Sequence, residues 1–320
     1  MKKFDSLRWE PRWVSHLGCI KGCLNYLNRP VSDAWLYGTT GHAFVLNICG
    51  DLCPSGPTDW NTGKFRKLGR NVGYILDGVS GWKGNQDLTR LQERAWQFVK
   101  NALDNDLPCY GWELDIPEFY VIYGYDNTGY YISGPGCDDG KGPVSWQKLG
   151  TSEIGVVEVS SIQISQPSDD RKAVQEALSY ALEHGLTPEK YTDPRCFGGL
   201  QGFDAWIRSV EKGLAAAFGL AFNTVVWTEC RRFAVAFLKE ARQRLNDVGL
   251  NPLIDKAIDH YEIVCQKLDI VKQAYPFDPE MTMDPILQTE RSQATASALR
   301  HAKDAESQGL EILSDIVTKL

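Results

Sequence analysis

Glycine is distributed unevenly along this chain of 320 residues, and this asymmetry constrains the fold more than any other feature. Residues 1–165 contain 21 of the 29 glycines, whereas residues 166–320 form long segments of helical period with few helix breakers. The change lies near Gln166-Pro167-Ser168. We therefore predict two domains, at residues 1–165 and 166–320, since a chain of this length can bury a core in each of them.

The first domain is predicted to combine helices with an antiparallel sheet. Apolar residues at helical spacing predict helices at 19–27 and 88–103. Strand-forming residues on both sides of the turn at 126–129 predict a β-hairpin that begins at Phe119, and residues 154–164 form a further predicted strand. This domain is therefore expected to be α+β.

The second domain is predicted to be an α-helical bundle. Ser168-Asp169-Asp170 is typical of a helix start, and the helix is expected to run to about Glu183, with Gly185 at its C-cap. Further helices are predicted at about 203–219, 223–246, 251–274 and 285–318.

Charge and hydropathy exclude several classes of partner. The net charge is −7 and no basic cluster with interleaved aromatic residues occurs, so nucleic acid is not expected as a partner. No apolar run approaches the roughly 20 residues that span a bilayer, so a membrane is not expected either. The first residues lack the apolar stretch of a signal peptide, and the nine cysteines are irregularly spaced. These features predict a cytoplasmic protein with free thiols.

No motif predicts a cofactor or a metal. Neither a Gly-x-x-x-x-Gly-Lys-Ser/Thr loop nor a Gly-x-Gly-x-x-Gly sequence after a strand occurs, so nucleotide cofactors have no support. Cys49 and Cys53 have a spacing that could begin a zinc site, but no second pair of matching spacing follows in the first domain. The prediction is therefore no cofactor and no metal.

Cys19 is the leading candidate for a catalytic residue. The predicted helix begins at or just after it, and a thiol at a helix N-terminus has its pKa lowered by unpaired N–H groups and the helix dipole. On this basis Cys19 is expected to be the most reactive thiol of the chain. The alternative, a small buried hydrophobic residue, stays open, and for Cys23, one turn later, core packing is favoured.

A cysteine nucleophile normally needs an imidazole base, and the first domain offers only His16 and His42. His42 follows the turn Gly38-Thr39-Thr40-Gly41, whose glycines would allow the backbone to approach Cys19 closely. A structural role for His42 is an equal alternative. Glu118 precedes the hairpin and could orient the imidazole or bind an amine, and a solvated position in a loop is an equal alternative.

These segments together resemble the papain-like cysteine enzymes of the bacteriocin-processing peptidase type, and more closely the N-terminal domain of the butirosin biosynthesis protein H family. The resemblance covers about the first 165 residues. The matching residues are Cys19 at the start of a helix that ends at Leu27, Val31-Ser32-Asp33, Leu36-Tyr37-Gly38, Phe119-Tyr-Val-Ile-Tyr-Gly-Tyr-Asp126 and Tyr130-Tyr-Ile-Ser-Gly-Pro135.

The resemblance implies a papain-like N-terminal domain with Cys19 as nucleophile. In the family the strand motif begins with the catalytic His, and the next strand ends in an Asp that orients it; here Glu118 and Gly134 stand at these positions. Catalysis would therefore need His42 or His16 as a relocated base.

These residues and the resemblance lead to two possible functions. The first is a cysteine-dependent hydrolase or acyl/aminoacyl transferase, acting on a small-molecule or peptide substrate or on a carrier-protein thioester. The alternative is a catalytically inactive papain-like binding or scaffold protein.

Overall fold

The computed structural model describes residues 1–50, 52–85 and 87–320, and these confirm an α+β chain. The chain divides into two compact units. Residues 1–32 and 73–167 form the first, here called the α+β unit, and residues 33–72 and 168–320 form the second, the helical unit.

The α+β unit is built around one antiparallel sheet. Its elements are β1 (Lys2–Lys3), α1 (Ser15–Tyr26), β3 (Tyr74–Trp82), α4 (Leu88–Asp104), β4 (Cys109–Trp112), β5 (Phe119–Tyr125), β6 (Gly129–Gly134), β7 (Cys137–Ser145) and β8 (Val156–Ile164). The strand order is β3-β8-β4-β5-β6-β7, with β1 paired to β5. Helix α1 packs against β4, β5 and β8, which places its side chains over the middle of the sheet.

One helix, the hairpin and one further strand of this unit were predicted correctly from local sequence patterns. Helix α4 follows the predicted range, with Asp87 as its N-cap and its apolar stripe buried. The hairpin is formed by β5 and β6, and β8 is the predicted strand at 154–164. Strands β1, β3, β4 and β7 were not predicted from the sequence. In β3 and β7 several glycines interrupt the alternation of polar and apolar residues.

The predicted start of the first helix is wrong, because α1 begins at Ser15, four residues before Cys19. Gly18 and Gly22 lie inside the helix and admit the chain segment at residues 8–10 at close range. A Cβ on Gly22 would lie 1.9 Å from the Arg8 carbonyl oxygen, and the Glu10 N–H donates to the Gly18 carbonyl at 3.2 Å. This packing outweighs the low helix propensity of glycine.

The helical unit contains most of the α-helices of the described chain. Its elements are α2 (Asp33–Thr39), β2 (Asn47–Cys49), α3 (Gly63–Val72), α5 (Asp170–Leu186), β9 (Cys196–Gly198), α6 (Gly199–Glu211), α7 (Ala217–Leu245), α8 (Asn251–Ala274) and α9 (Glu290–Lys319). Helix α8 packs against α7 and α9, α6 packs against α9, and α2 packs against α7.

Residues 33–72 belong to the helical unit, although the sequence pattern assigned them to the first domain. The reason is pairing between segments distant in sequence: β2 pairs with β9, and α3 packs against α5. Position 38 in α2 has no room for a side chain, because a Cβ there would lie 2.0 Å from the Phe237 ring on α7. The last crossing between the units, at 167/168, coincides with the change in composition near residues 166–168.

Helix boundaries in the helical unit differ from the predictions at three places. The break between α6 and α7 lies at 212–216, where Gly213 has a φ of +64°, and α9 begins at Glu290 after the cap Thr289. Gly185 lies inside α5 rather than at its C-cap. A Cβ there would come within 2.7 Å of Leu310, so this glycine serves helix packing.

In the part of the chain that the structure describes, no helix combines the length and the apolar composition that crossing a bilayer requires.

Candidate functional site

The first turn of α1 meets the beginning of β5 in the α+β unit. The Ser15 hydroxyl donates a short hydrogen bond to the Glu118 carboxylate and accepts one from the Phe119 N–H at 3.0 Å. Ser15 is the first residue of α1, so the carboxylate lies at the positive end of the helix dipole. Ser15 and Glu118 are thereby held as a pair.

Glu118 is partly buried, and its burial raises the pKa of its carboxyl from 4.5 to about 7, while the hydrogen bond from Ser15 acts in the opposite direction. The carboxyl therefore changes charge near neutral pH. Carboxyls with this property are concentrated at functional sites, where a proton must be exchanged or a cation bound.

Cys19 lies one turn further along α1 and has no exposed surface. It is the fifth residue of the helix, and the preceding Gly18 N–H already donates to the Val14 carbonyl at 3.1 Å, so Cys19 lies beyond the N–H groups that lack an intrahelical acceptor. Burial raises the pKa of its thiol well above the ordinary value, and the neighbouring Cys23 and Glu118 add to this effect. The lowered pKa that the sequence predicted is therefore replaced by a raised one.

His16 is buried on the same helix as Cys19, and its Nε2 lies 3.0 Å from the Tyr110 hydroxyl. Its ring stacks on Phe119 with centroids 4.1 Å apart. The contacts of His16 thus include aromatic residues of β4 and β5.

His42 is part of the helical unit, in a 3-10 turn at His42–Phe44. Its Nδ1 lies 3.6 Å from the Cys230 sulfur of α7, and burial lowers the pKa of its imidazole to about 3. Gly41 before it permits close contact with Tyr180, since a Cβ would lie 2.3 Å from that ring. A neutral, fully buried imidazole among aromatic rings fits the structural alternative for this residue.

Gly134, at the position where the resemblance expects an orienting Asp, has no room for a side chain. A Cβ there would lie 2.3 Å from the Tyr120 ring. The Tyr120 hydroxyl donates to the Pro135 carbonyl at 3.1 Å. An aromatic ring from β5 therefore occupies the space at the end of β6.

The cysteines are not all free thiols, which corrects the sequence prediction. Cys49 and Cys196 form a disulfide, and seven described cysteines remain free. The two residues are 147 positions apart and become neighbours because β2 pairs with β9 in a register that sets them opposite each other. Spacing along the sequence carries no sign of this pairing.

Arg231 is fully buried in the helical unit. Its guanidinium pairs with Glu306 at 2.8 Å and donates to the carbonyls of Ala43 and Val45. Glu229 accepts a hydrogen bond from the Tyr37 hydroxyl at 2.7 Å. The sequence did not single out Glu306 or Tyr37 as partners, because both lie far from α7 along the chain.

Ser15 is the site residue that sequence reasoning missed. The available signal was the polar pair of Ser15 and His16 ahead of an apolar stripe, which fits a helix start as well as Cys19 does. Gly18 argued against a helix start at Ser15, because glycine has a low helix propensity and so favours a helix that begins after position 18. Cys19 and Glu118, both singled out from the sequence, do lie near each other in the structure.

Comparison with models of known protein families gives no match, and no curated protein is significantly similar to the chain.

Proposed function

We propose that the α+β unit is a papain-like domain that binds a ligand without cleaving it, through the pair of Ser15 and Glu118 beside a fully buried Cys19. The resemblance assigns the nucleophile to Cys19 and the catalytic His to the position of Glu118. In the structure Glu118 accepts a hydrogen bond from Ser15, one turn before Cys19, and this hydrogen bond is the observation that carries the proposal. A serine with a carboxyl partner lacks the thiolate–imidazolium chemistry of the family.

Glu118 supports a ligand with an amine or another cationic group. Its carboxyl is partly exposed and costs free energy to ionise, because it is removed from water. A cation placed beside it would offset this cost and keep the carboxylate charged. Small molecules with amino groups and peptides with basic residues both have this chemistry.

Isothermal titration of the full chain with a diamine and with a lysine-containing peptide tests this ligand class. Because Glu118 must be ionised to attract a cation, we expect binding of at least one probe to strengthen as pH rises through about 7. Glu118→Gln should abolish binding, and Glu311→Gln, on an exposed face of α9, should not change it. Absence of binding, or equal affinity in wild type and Glu118→Gln, would reject an amine ligand.

A thiol and an imidazole placed at positions 15 and 118 test whether these two positions face each other as in a papain-like site. In the double variant Ser15→Cys, Glu118→His, a thiol at the first helical position would face an imidazole, which favours the thiolate. We expect iodoacetamide to alkylate this thiol at least about tenfold faster than it does in the single variant Ser15→Cys, where the neighbour is a carboxylate. Equal rates in the two folded variants would show that the juxtaposition is not that of a papain-like site.

A second candidate is acyl transfer through Cys19 with Glu118 as general base. It is favoured by one observation: Glu118 is close enough to influence the Cys19 thiol, and its pKa of about 7 is suited to proton transfer near neutral pH. Mass analysis after incubation with thioester probes separates the candidates. An acyl group on Cys19 would support transfer, whereas an unmodified Cys19 would support a binding protein.

A further inference from the structure

Three potential metal ligands meet in the helical unit, whereas Ser15 and Glu118 belong to the α+β unit. Cys49 on β2 and Cys196 on β9 face each other with Cα atoms 3.9 Å apart and are joined by a disulfide. A carboxylate oxygen of Asp59 lies within 4.8 Å of the sulfur atoms of both cysteines. This cluster of Cys49, Asp59 and Cys196 is here called the two-cysteine cluster.

The segment that carries Asp59 is fixed to the strand that carries Cys49. The Asn47 side-chain amide donates to the Asp59 carbonyl at 3.0 Å and to the Gly56 carbonyl at 2.8 Å. The Asp59 N–H donates to the Ser55 carbonyl at 2.7 Å. Asp59 is thus held beside the cysteines by its own backbone, and not only by its side chain.

Arg195 competes for the Asp59 carboxylate. It contacts that carboxylate at 3.0 Å, but the Arg195 side chain is 78% exposed and also binds Asp193. An ion pair exposed to this extent contributes little free energy, so a bound metal could displace it. Both cysteines are buried, whereas Asp59 is partly exposed, which gives an ion a route from solvent.

We propose that the two-cysteine cluster binds a thiophilic divalent cation such as Zn²⁺ when its disulfide is reduced. Two thiolates and one carboxylate are donors that zinc accepts, and three protein ligands leave a coordination position open. Tetrahedral ligands at about 2.3 Å from zinc place two sulfurs roughly 3.8 Å apart, a separation that rotation of the two side chains can supply once the S–S bond is broken.

An external dithiol gives two electrons and two protons to the Cys49–Cys196 bond, so two cysteine thiols form and the dithiol becomes a disulfide. Metal binding then releases the two thiol protons, and the Asp59 carboxylate exchanges Arg195 for the cation. Transfer of two electrons from the two thiolates to an external disulfide would re-form the Cys49–Cys196 bond, turn that disulfide into two thiols after it takes up two protons, and release the metal.

Cobalt titration of the full-length protein tests the proposal. We expect the reduced protein to bind one equivalent of Co²⁺, with a thiolate-to-cobalt charge-transfer band and the visible bands of a tetrahedral site. The disulfide form should show neither feature. Failure of the reduced protein to bind, or identical spectra in the two redox states, would overturn the proposal.

Surface variants identify the ligands without disturbing the β2–β9 pairing. Asp59→Asn should weaken cobalt binding at least about tenfold, since even residues that only orient metal ligands contribute that much. Arg195→Ala should strengthen binding, because it removes the competitor for Asp59. Cys265→Ser, on α8 and outside the cluster, should leave both spectrum and affinity unchanged. Unchanged affinity in Asp59→Asn, or loss of the charge-transfer band in Cys265→Ser, would assign the cobalt to other ligands.

Discussion

Glu306 in the helical unit and Glu118 in the α+β unit are carboxyl groups in different environments. In the helical unit Arg231, Glu306 and His42 are removed from solvent, and each has a partner within the unit. In the α+β unit Glu118 stays partly exposed with a hydroxyl partner, and its charge changes near neutral pH. Fully buried groups with partners inside the unit contribute to a core, whereas a partly exposed carboxyl with a shifted pKa is available to a ligand.

The contrast between the units also shows which sequence signals distinguish structure from function. His42 stood out in the sequence because it follows a glycine turn, yet that turn serves packing against Tyr180. Ser15 did not stand out, although its position at the first turn of α1 gives it a partner 103 residues away. Residue type alone therefore predicts the partners of a polar side chain less well than its position at an element end does.

The largest effect is expected from the buried ion pair of the helical unit. Glu306→Gln leaves the Arg231 guanidinium buried without a full counter-charge, and we expect it to lower the free energy of unfolding by about 3–5 kcal/mol. Urea denaturation measures this change. Lys303→Ala, which breaks the more exposed pair with Asp204, should cost no more than about 1 kcal/mol. Equal costs for the two variants would contradict the contrast between buried and exposed pairs.

The next effect concerns the close approach of residues 8–10 to α1. Gly22→Ala should lower the free energy of unfolding by about 2 kcal/mol or more, because the new Cβ would lie 1.9 Å from the Arg8 backbone oxygen. Helix propensity alone predicts a gain of about 1 kcal/mol, so the sign of the change decides between the two influences. Gly84→Ala, with no atom within 4 Å of its Cβ, is the matched control and should change stability by less than about 0.5 kcal/mol.

A smaller effect with the opposite sign is expected at Glu118. Its pKa is about 7 in the folded state and about 4.5 when unfolded, so the folded state holds the proton over this interval and stability falls as pH rises through it. Glu118→Gln should remove this loss and stabilise the protein above pH 7 by roughly 1–2 kcal/mol, a figure reduced because the group is partly exposed.

Thermal unfolding between pH 4 and 8 checks this expectation. The difference between Glu118→Gln and wild type should grow with pH and level off above about pH 7. Glu311→Gln, at an exposed position, should give a constant difference. A stability gain that does not depend on pH would show that ionisation of Glu118 is not the cause.

The fold was predictable where its signals are local. The alternation and aromatic content of Phe119–Tyr125, and the Asp169 cap ahead of α5, are read within a few residues and gave the correct elements. The placement of residues 33–72 was not predictable, because it depends on pairing between β2 and β9 that no local pattern encodes. The Cys49–Cys196 disulfide was missed for the same reason.

The candidate site was predictable in part. Glu118 was singled out because it stands at the start of a recognisable strand motif, and its position there is a local property. The state of Cys19 was not predictable, because the direction of its pKa shift depends on burial, which the other segments of the unit create. Because α1 begins four residues before Cys19, this thiol is a core residue and not a group at the end of a helix.

Native-state alkylation of Cys19 tests the account most directly. At neutral pH, with peptide mapping over time, we predict that iodoacetamide labels the half-buried Cys53 and Cys137 before Cys19, and that Cys19 reacts at least about 100-fold more slowly than in the unfolded chain. Such protection would agree with a domain that binds through Glu118 and Ser15. Labelling of Cys19 ahead of every other thiol in the folded protein would contradict it and restore a cysteine nucleophile.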